Sequence, residues 1–428
     1  MKRVSVMVVL LLSCAVVFAQ GGKETKKTQR TVTTVCRASY ATEEWYNRMN
    51  EAFEAETGIH VDVQPTPGND ADHDAKVNID LLAGSKIDVI PSLGSAHYST
   101  RVDAGYFMPL NDLVKEVGFD AHSVFGANLP IDEDGTFVGL PFKLEVWCTF
   151  FNKDLFDRAG VPYPSGQWTW DEFVQTARKV ADRKNGIYGF LLHYEVPWLF
   201  LPGMTSRTPL YKVDGSSNFD APEHRAGAQF YYDYSVAEQL SPTVKELAAD
   251  NASWNYWAIA GDNIAMFLQG NWFTRLLNSP VDYPRTWRYG VAPMPGETVL
   301  TAPAYVSINK NAVNKEEALE YVIWLANNQW KYEGGLPAMA TLTEEERNQV
   351  FGALAESSNG QVTVDELYYG ILETGLTPHD SDIVGVAAGE YTTIVMQELQ
   401  AFNMDLQSLD SAVTNIVNRA NEAIKNAQ

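Results

Sequence analysis

Residues 142–173 read FKLEVWCTFFNKDLFDRAGVPYPSGQWTWDEF, and this stretch decides the fold. It begins as an extended apolar run, which is typical of a buried strand and contains one carboxylate, Glu145. A short helix follows, and Gly160 and Pro162 end it because neither residue sustains a helix. Thr169 is then predicted to cap the next helix, whose first turn is acidic, as the helix dipole favours.

Three motifs in this stretch carry a family resemblance. They are Asn-Lys-x-x-Phe from residue 152, Ala-Gly-Val from residue 159 and Trp-x-Trp-x-Glu-Phe from residue 168. In this order they resemble the extracellular solute-binding proteins of ABC importers, in the sugar-binding branch that includes maltose-binding protein. Further matches extend the resemblance over almost all of the mature chain, at residues 262–272, 289–296, 307–318 and 334–338. One departure is Ala302–Tyr305, which replaces the family's glycine pair and predicts a bulkier wall there.

Strand and helix patterns alternate on the N-terminal side of this stretch. The predicted strands are residues 31–36, 59–63 and 87–90, and the predicted helices are residues 43–56 and 74–83. This alternation is typical of an α/β domain with a largely parallel sheet. Because ligands bind at the carboxyl ends of strands in such sheets, residues 37–40 and 92–98 are candidate walls of a binding site.

The resemblance implies a periplasmic-binding-protein-like α/β fold, with two lobes of mixed sheets flanked by helices and a three-segment hinge. Lobe 1 would consist of residues 31–142 and 293–330, and lobe 2 of residues 143–292 and 331–428. The chain would cross between the lobes near residues 143–149, 289–293 and 329–335. A ligand between the lobes would stabilise a closed state through contacts with both.

Length and charge restrict the function classes. The chain has 428 residues, enough for two or three domains with substantial cores. Its net charge of -22 repels nucleic acid and anionic lipid, and suits a neutral ligand better than a phosphorylated one. Three cysteines do not suggest a disulfide framework. Cys36 and Cys148 lie in apolar runs and are predicted to be buried free thiols.

The N-terminus reads as a secretory signal. Lys2 and Arg3 precede an apolar stretch that is too short to span a bilayer, and residues 1–19 would be removed after Ala19. Residues 20–30 are then a flexible leader. The alternative is a lipoprotein signal, in which Cys14 bears the lipid. Either reading predicts an extracytoplasmic protein, in the periplasm or at the cell surface.

Aromatic side chains are the main chemical signal, with 11 Trp, 20 Tyr and 19 Phe. Sugar rings stack on aromatic faces, and their hydroxyls need polar partners. Trp272 follows Gly270-Asn271, where the backbone can turn sharply, and the resemblance implies that it stacks on the ligand; it could instead cover the second lobe's core. Trp198 lies where the family places an aromatic platform. Trp254 could line the cleft or pack between helices.

Glu145 is the polar candidate, because a carboxylate inside an apolar strand is costly without a partner or a ligand. The resemblance implies that it contacts sugar hydroxyls; the alternative is a salt bridge, with Lys143 as a partner. Loop position adds five further candidates: Tyr40, Glu44, His97, Tyr98 and Tyr305.

No pattern of an enzyme site or a metal site is present in the sequence. Residues 70–74 are rich in Asp but depart from the EF-hand spacing, so they are predicted to form a solvated turn without metal. No cofactor is expected. The resemblance implies a monomeric component of an ABC importer that binds a sugar or oligosaccharide and delivers it to the membrane permease. Two alternatives stay open: a secreted carbohydrate hydrolase or lyase, and the same fold binding a polyol, peptide, polyamine or polyol phosphate.

Overall fold

The computed structural model describes residues 29–427 apart from residues 69, 133, 250–261, 280, 282, 340 and 373. The predicted signal, Cys14, most of the predicted leader and the candidate Trp254 lie outside the described residues. Within the described ranges, no helix combines the length and the apolar character that crossing a membrane requires.

The strands form one mixed sheet. They are β1 (Thr31–Arg37), β2 (His60–Thr66), β3 (Val89–Leu93), β4 (Gly139–Asn152), β5 (Met266–Gly270), β6 (Tyr289–Ala292), β7 (Thr298–Ile308) and β8 (Thr377–Asp380). The sheet order is β2-β1-β3-β7-β4-β5, with β6 on β4 and β8 on β7. β1 pairs in parallel with β2 and β3, whereas β7 is antiparallel to both β3 and β4. The predicted mixed α/β fold is therefore confirmed.

Helices cover both ends of this sheet. The α-helices are α1 (Ala38–Ala41), α2 (Glu44–Thr57), α3 (Asp70–Leu82), α4 (Ser95–Asp103), α5 (Asn111–Glu116), α6 (Ala121–Phe125), α7 (Lys153–Ala159), α8 (Trp170–Val180), α9 (Leu201–Met204), α10 (Pro222–Tyr231), α11 (Val244–Ala249), α12 (Phe273–Leu277), α13 (Lys315–Glu333), α14 (Glu344–Ser357), α15 (Val364–Leu367), α16 (Ala388–Asn403) and α17 (Leu409–Ala427). Short 3-10 turns occur at Gly126–Asn128, Arg183–Asn185 and Trp198–Phe200, and π-helical turns at Tyr232–Ala237 and Tyr368–Leu372.

β4 joins the two halves of the sheet. Its 14 residues are all buried. Residues 139–146 pair with β7, and residues 147–152 pair with β5 and β6. At its end the Asn152 side chain accepts hydrogen bonds from two amides of α7, and Gly160 ends α7 in the left-handed conformation with φ 64°. Thr169 caps α8 in a capping box with Glu172, as predicted.

Apolar side chains form two large clusters. The larger draws on residues 144–300 and 330–423, and the smaller on residues 32–142 and 304–326. Membership changes within β4, within β7 between Leu300 and Ala304, and within α13. Cys36 and Cys148 are buried free thiols, as predicted.

The prediction of a solvated turn at residues 70–74 is wrong. This segment is the first turn of α3, and Asp74 is buried. Arg101, which is also fully buried, donates to Asp74 Oδ1 at 2.7 Å. A charge-assisted hydrogen bond of this kind satisfies the carboxylate without solvent.

Candidate ligand-binding site

A cleft of about 780 Å³ lies where the two apolar clusters meet. Its volume is within the ordinary range for small-molecule sites. The lining residues come from many separate segments: Arg37, Ser39, Tyr40, Leu93, Gly94, Ala96, His97, Lys143, Glu145, Trp147, Glu195, Val196, Pro197, Trp198, Gln269, Trp272, Arg275, Leu276, Tyr283, Ala302, Ala304, Ser381 and Asp382. Residues after β1 and β3 contribute one wall, as the strand-end argument predicts.

The cleft contains a buried ion-pair group on β4. Lys143 Nζ lies 2.6 Å from Glu145 Oε1 and 2.6 Å from Glu333 Oε1. Glu333, the last residue of α13, also accepts from Gln329 Nε2 at 3.1 Å. Arg275 Nη1 is 3.7 Å from Glu333. Two cationic side chains, one lysine and one arginine, therefore face two carboxylates.

Glu145 lines the cleft, and its two carboxylate oxygens differ in their contacts. Oε1 pairs with Lys143, whereas Oε2 is buried and has no hydrogen-bond partner among the described residues. Burial raises the pKa of Glu145, because the contact with Lys143 compensates it only partly. For Glu333, burial is outweighed by Lys143, Arg275 and the hydrogen bonds, so its pKa is lowered. An unpartnered buried acceptor is costly unless a ligand supplies a donor.

Three tryptophans form an aromatic wall. The Trp147 and Trp198 ring centroids are 4.7 Å apart, and Trp272 meets Trp147 edge-on at 6.0 Å. Trp198 Nε1 donates to the Leu268 carbonyl at 3.0 Å, which fixes this ring against β5. Offset and edge-on aromatic contacts of this kind hold rings in defined orientations. The cleft therefore has a rigid apolar surface beside its carboxylates.

Gly270 makes room for Trp272. A Cβ atom at residue 270 would lie 1.6 Å from the Trp272 ring, so any side chain there would displace the tryptophan. Asn271, the residue after Gly270, is held by two hydrogen bonds to Val146. Its backbone amide donates to the Val146 carbonyl at 2.9 Å, and its side-chain Oδ1 accepts from Val146 N at 2.8 Å. Gly270 does not have a positive φ. The glycine is therefore needed for the close approach of the Trp272 ring and not for a sharp turn.

The opposite wall carries polar side chains. The Arg37 guanidinium lies 5.7 Å from the Tyr40 ring centroid. His97 Nε2 is 3.3 Å from Asp74 Oδ2. Asp382, from the segment after β8, accepts a hydrogen bond from Ala96 N at 3.3 Å. The C-terminal third of the chain thus reaches the start of α4.

The structure brings five of the predicted site residues to the cleft: Trp272, Glu145, Trp198, Tyr40 and His97. Three others lie elsewhere. Tyr98 and Tyr305 pack against each other at 4.3 Å in a separate apolar cluster, because α4 and β7 turn both rings inward. Glu44 is exposed in the first turn of α2 and is not among the lining residues.

Several lining residues were missed from the sequence: Lys143 as a lining group, Glu195, Gln269, Arg275 and Asp382, whereas Arg37 belongs to the predicted wall at residues 37–40. Glu195 had a usable signal, since it lies three residues before the predicted platform Trp198. Arg37, Lys143 and Arg275 come from three distant segments, and no sequence pattern joins them.

A cleft lined by two α/β halves that share one long strand defines a ligand-binding protein of the two-lobed class. The comparison of sequences agrees with the architecture. The chain belongs to the family of bacterial extracellular solute-binding proteins, whose profile matches residues 38–332. This membership confirms the predicted family and the prediction that the chain is not an enzyme, because the family binds solutes without transforming them.

The chain is also similar to one relative in sequence and to solved structures in fold. A binding protein of Brucella abortus is 25% identical over 319 residues, which are 71% of this chain and 75% of that protein. The fold is similar to an ABC substrate-binding protein from Listeria monocytogenes in complex with cycloalternan, with a TM-score of 0.76, 18% identity, and 93% and 99% of the two chains covered. It is also similar to UgpB from Mycobacterium tuberculosis in complex with glycerophosphocholine, with a TM-score of 0.72, 17% identity, and 92% and 98% covered.

Proposed function

We propose that this protein is the extracytoplasmic binding component of an ABC importer and that its ligand is a sugar or oligosaccharide. The observation that carries the proposal is the pairing of the tryptophan wall with the unpartnered Glu145 Oε2 in one cleft. A sugar offers an apolar C–H face to Trp198 or Trp272 and a hydroxyl donor to that oxygen. Relatives of the same fold include a protein bound to a cyclic oligosaccharide.

Lobe closure would couple binding to delivery. We assign residues 31–142 and 304–330 to lobe 1 and residues 143–300 and 331–428 to lobe 2, so that the second crossing lies inside β7, where cluster membership changes, and not at residues 289–293. The Lys143–Glu333 contact ties the first crossing to the third. Ligand contacts with both walls would favour the closed state, which the permease would recognise. The N-terminal segment would export the protein, with cleavage after Ala19 or lipidation at Cys14.

A phosphate-bearing solute is the second candidate, because Arg37, Lys143 and Arg275 reach the cleft and the UgpB structure holds glycerophosphocholine. Two of these cations already have carboxylate partners, since Lys143 contacts Glu145 and Glu333, and Arg275 lies near Glu333. A phosphate would have to compete with these carboxylates and would also meet the overall negative charge. The neutral ligand is therefore favoured.

The test is a thermal-shift screen over neutral oligosaccharides, polyols and glycerophosphocholine, because a ligand that binds only the folded protein raises its melting temperature. Trp272→Ala is expected to lose most of the shift caused by a sugar, since the stacking surface is removed. Trp170→Ala is the matched control: Trp170 is also half-buried in the larger cluster, but it does not line the cleft. A shift by glycerophosphocholine and by no sugar would overturn the proposal.

A further inference from the structure

We propose that the sugar bound in this cleft carries a protonated amino group, and that Glu195 is the carboxylate that binds it, beside Trp198. The inference rests on the proposed function, because it concerns the class of sugar that the same cleft selects. It arises from the charge distribution on the aromatic wall. There the Glu195 carboxylate lines the cleft without a matching cation among the described residues.

Glu195 has few partners of its own. It is half-buried and lines the cleft. The nearest ionisable nitrogen in the described chain is His193 Nδ1, 3.6 Å from Glu195 Oε2, which exceeds hydrogen-bond distance. Burial also raises the pKa of Glu195, so the site disfavours an uncompensated negative charge there. A cation from the ligand would relieve that cost.

The local backbone places Glu195 beside the aromatic surface. Leu199 N donates to the Glu195 carbonyl at 3.2 Å, which closes a turn over these residues. Glu195 and Trp198, three positions apart, both line the cleft. The His193 ring connects the two, since it is 5.4 Å from the Trp198 ring and its Nδ1 lies near the carboxylate.

The other charges of the cleft do not neutralise Glu195. Lys143 and Arg275 are balanced by Glu145 and Glu333. Arg37 lies on the opposite wall against the Tyr40 ring. The aromatic wall therefore keeps an uncompensated negative charge beside the Trp198 ring.

An amino sugar fits this arrangement in both of its parts. Its ring face is apolar and stacks on tryptophan, while an equatorial amine projects from the ring edge, toward a carboxylate at the border of the aromatic surface. A hydroxyl at that position would also donate to Glu195. An ammonium group adds charge attraction in a partly desolvated site, and such charge-assisted bonds are roughly twice as strong as neutral ones.

The experiment compares amino sugars with their neutral counterparts by isothermal titration calorimetry. The ligands are glucosamine, galactosamine and chitosan oligosaccharides, set against glucose, galactose, cello-oligosaccharides and N-acetylated chitin oligosaccharides, at a pH where the amines are protonated. We expect at least one amino sugar to bind about 10-fold more tightly than its neutral and N-acetylated counterparts.

Glu195→Gln is expected to abolish this preference, because the affinity for the amino sugar should fall to that of its neutral counterpart. Glu422→Gln removes the same charge from an exposed position on α17, and it should preserve the preference. An equal loss in both variants would assign the preference to the overall charge and overturn the inference. Binding of neutral sugars without any preference for amines would also overturn it, while the proposed function would stand. If no carbohydrate of either set binds, both are overturned.

Discussion

Replacing Lys143 with methionine should destabilise the folded protein strongly at neutral pH. Lys143 has a side chain that is only 9% exposed, and it holds Glu145 and Glu333 at 2.6 Å each. Methionine keeps most of the volume but leaves two carboxylates close together in a buried site. Removing one partner of a buried ion pair in this way typically costs about 3–5 kcal/mol.

The contacts put the expected loss at the lower end of that range. Two carboxylate oxygens that share one ammonium nitrogen lie roughly 5 Å apart, and at an effective dielectric constant of about 20 their repulsion is roughly 3 kcal/mol. Arg275 and Gln329 still contact Glu333 and limit the damage. We therefore expect Lys143→Met to lower the free energy of unfolding by about 3 kcal/mol at pH 7.5.

The loss should shrink as the pH falls. Burial already raises the pKa of Glu145, and losing Lys143 raises it further. A carboxyl group whose pKa is raised on folding binds its proton more tightly in the folded state. Its ionisation at neutral pH therefore destabilises the fold, and this stability is regained as the pH falls toward the pKa of the group in the unfolded chain. Near pH 5 the variant should therefore lie closer to the unmodified protein than at pH 7.5.

Urea unfolding of the ligand-free protein, followed at pH 7.5 and pH 5, measures both effects. The double variant Lys143→Met/Glu145→Gln should recover a substantial part of the loss, because one of the two charges is gone. Lys245→Met, which removes an exposed lysine from α11, should change little. A loss below about 1 kcal/mol at pH 7.5, or one of equal size at both pH values, would refute the buried-pair reasoning.

Three further predictions follow from single contacts. Gly270→Ala should abolish most ligand binding in calorimetry without unfolding the protein, since its Cβ would displace the Trp272 ring; unchanged affinity would contradict this. Arg101→Met should cost about 3–5 kcal/mol in urea unfolding, because buried Asp74 loses its cation; a loss near zero would show that the pair is dispensable. Burial and Asp382 raise the pKa of Asp380 to about 7, so stability from this group falls as the pH rises from about 4 to about 7. Asp380→Asn should match the unmodified protein near pH 4 and exceed it by about 4 kcal/mol at pH 8; identical pH profiles would contradict the assignment.

Local patterns were sufficient for much of the fold. The capping box of Thr169 and Glu172 spans three residues, and strand β1 is a local run of β-branched residues, so both can be predicted without tertiary information. The error at residues 70–74 has the opposite origin. Asp74 is stabilised in the interior by Arg101, which is 27 positions away, and no pattern near the aspartate shows that its charge is compensated.

The candidate site divides in the same way. His97 and Tyr40, which were selected from loop position, line the cleft, whereas Tyr98, the next residue after His97, packs in a separate apolar cluster because neighbouring positions of a helix point in different directions. Arg275 and Asp382 follow β5 and β8, and they reach the cleft only through the topology of the sheet, in which β5 pairs with β4 and β8 pairs with β7. Such groups are predictable only after the strand order is known.

The two roles predicted for Glu145, a salt bridge and a contact with the ligand, are compatible. The sequence allowed a salt bridge with Lys143 or a contact with the ligand, as alternatives. In the structure Oε1 makes the salt bridge, while Oε2 stays buried in the wall of the cleft without a partner among the described residues. The ion pair offsets part of the cost of burying the charge, and the remaining cost is relieved only when a donor arrives. The same strand that joins the two halves of the sheet can therefore hold a binding group whose hydrogen bonding is completed by the ligand, so occupancy of the cleft and the geometry of β4 are linked through one side chain.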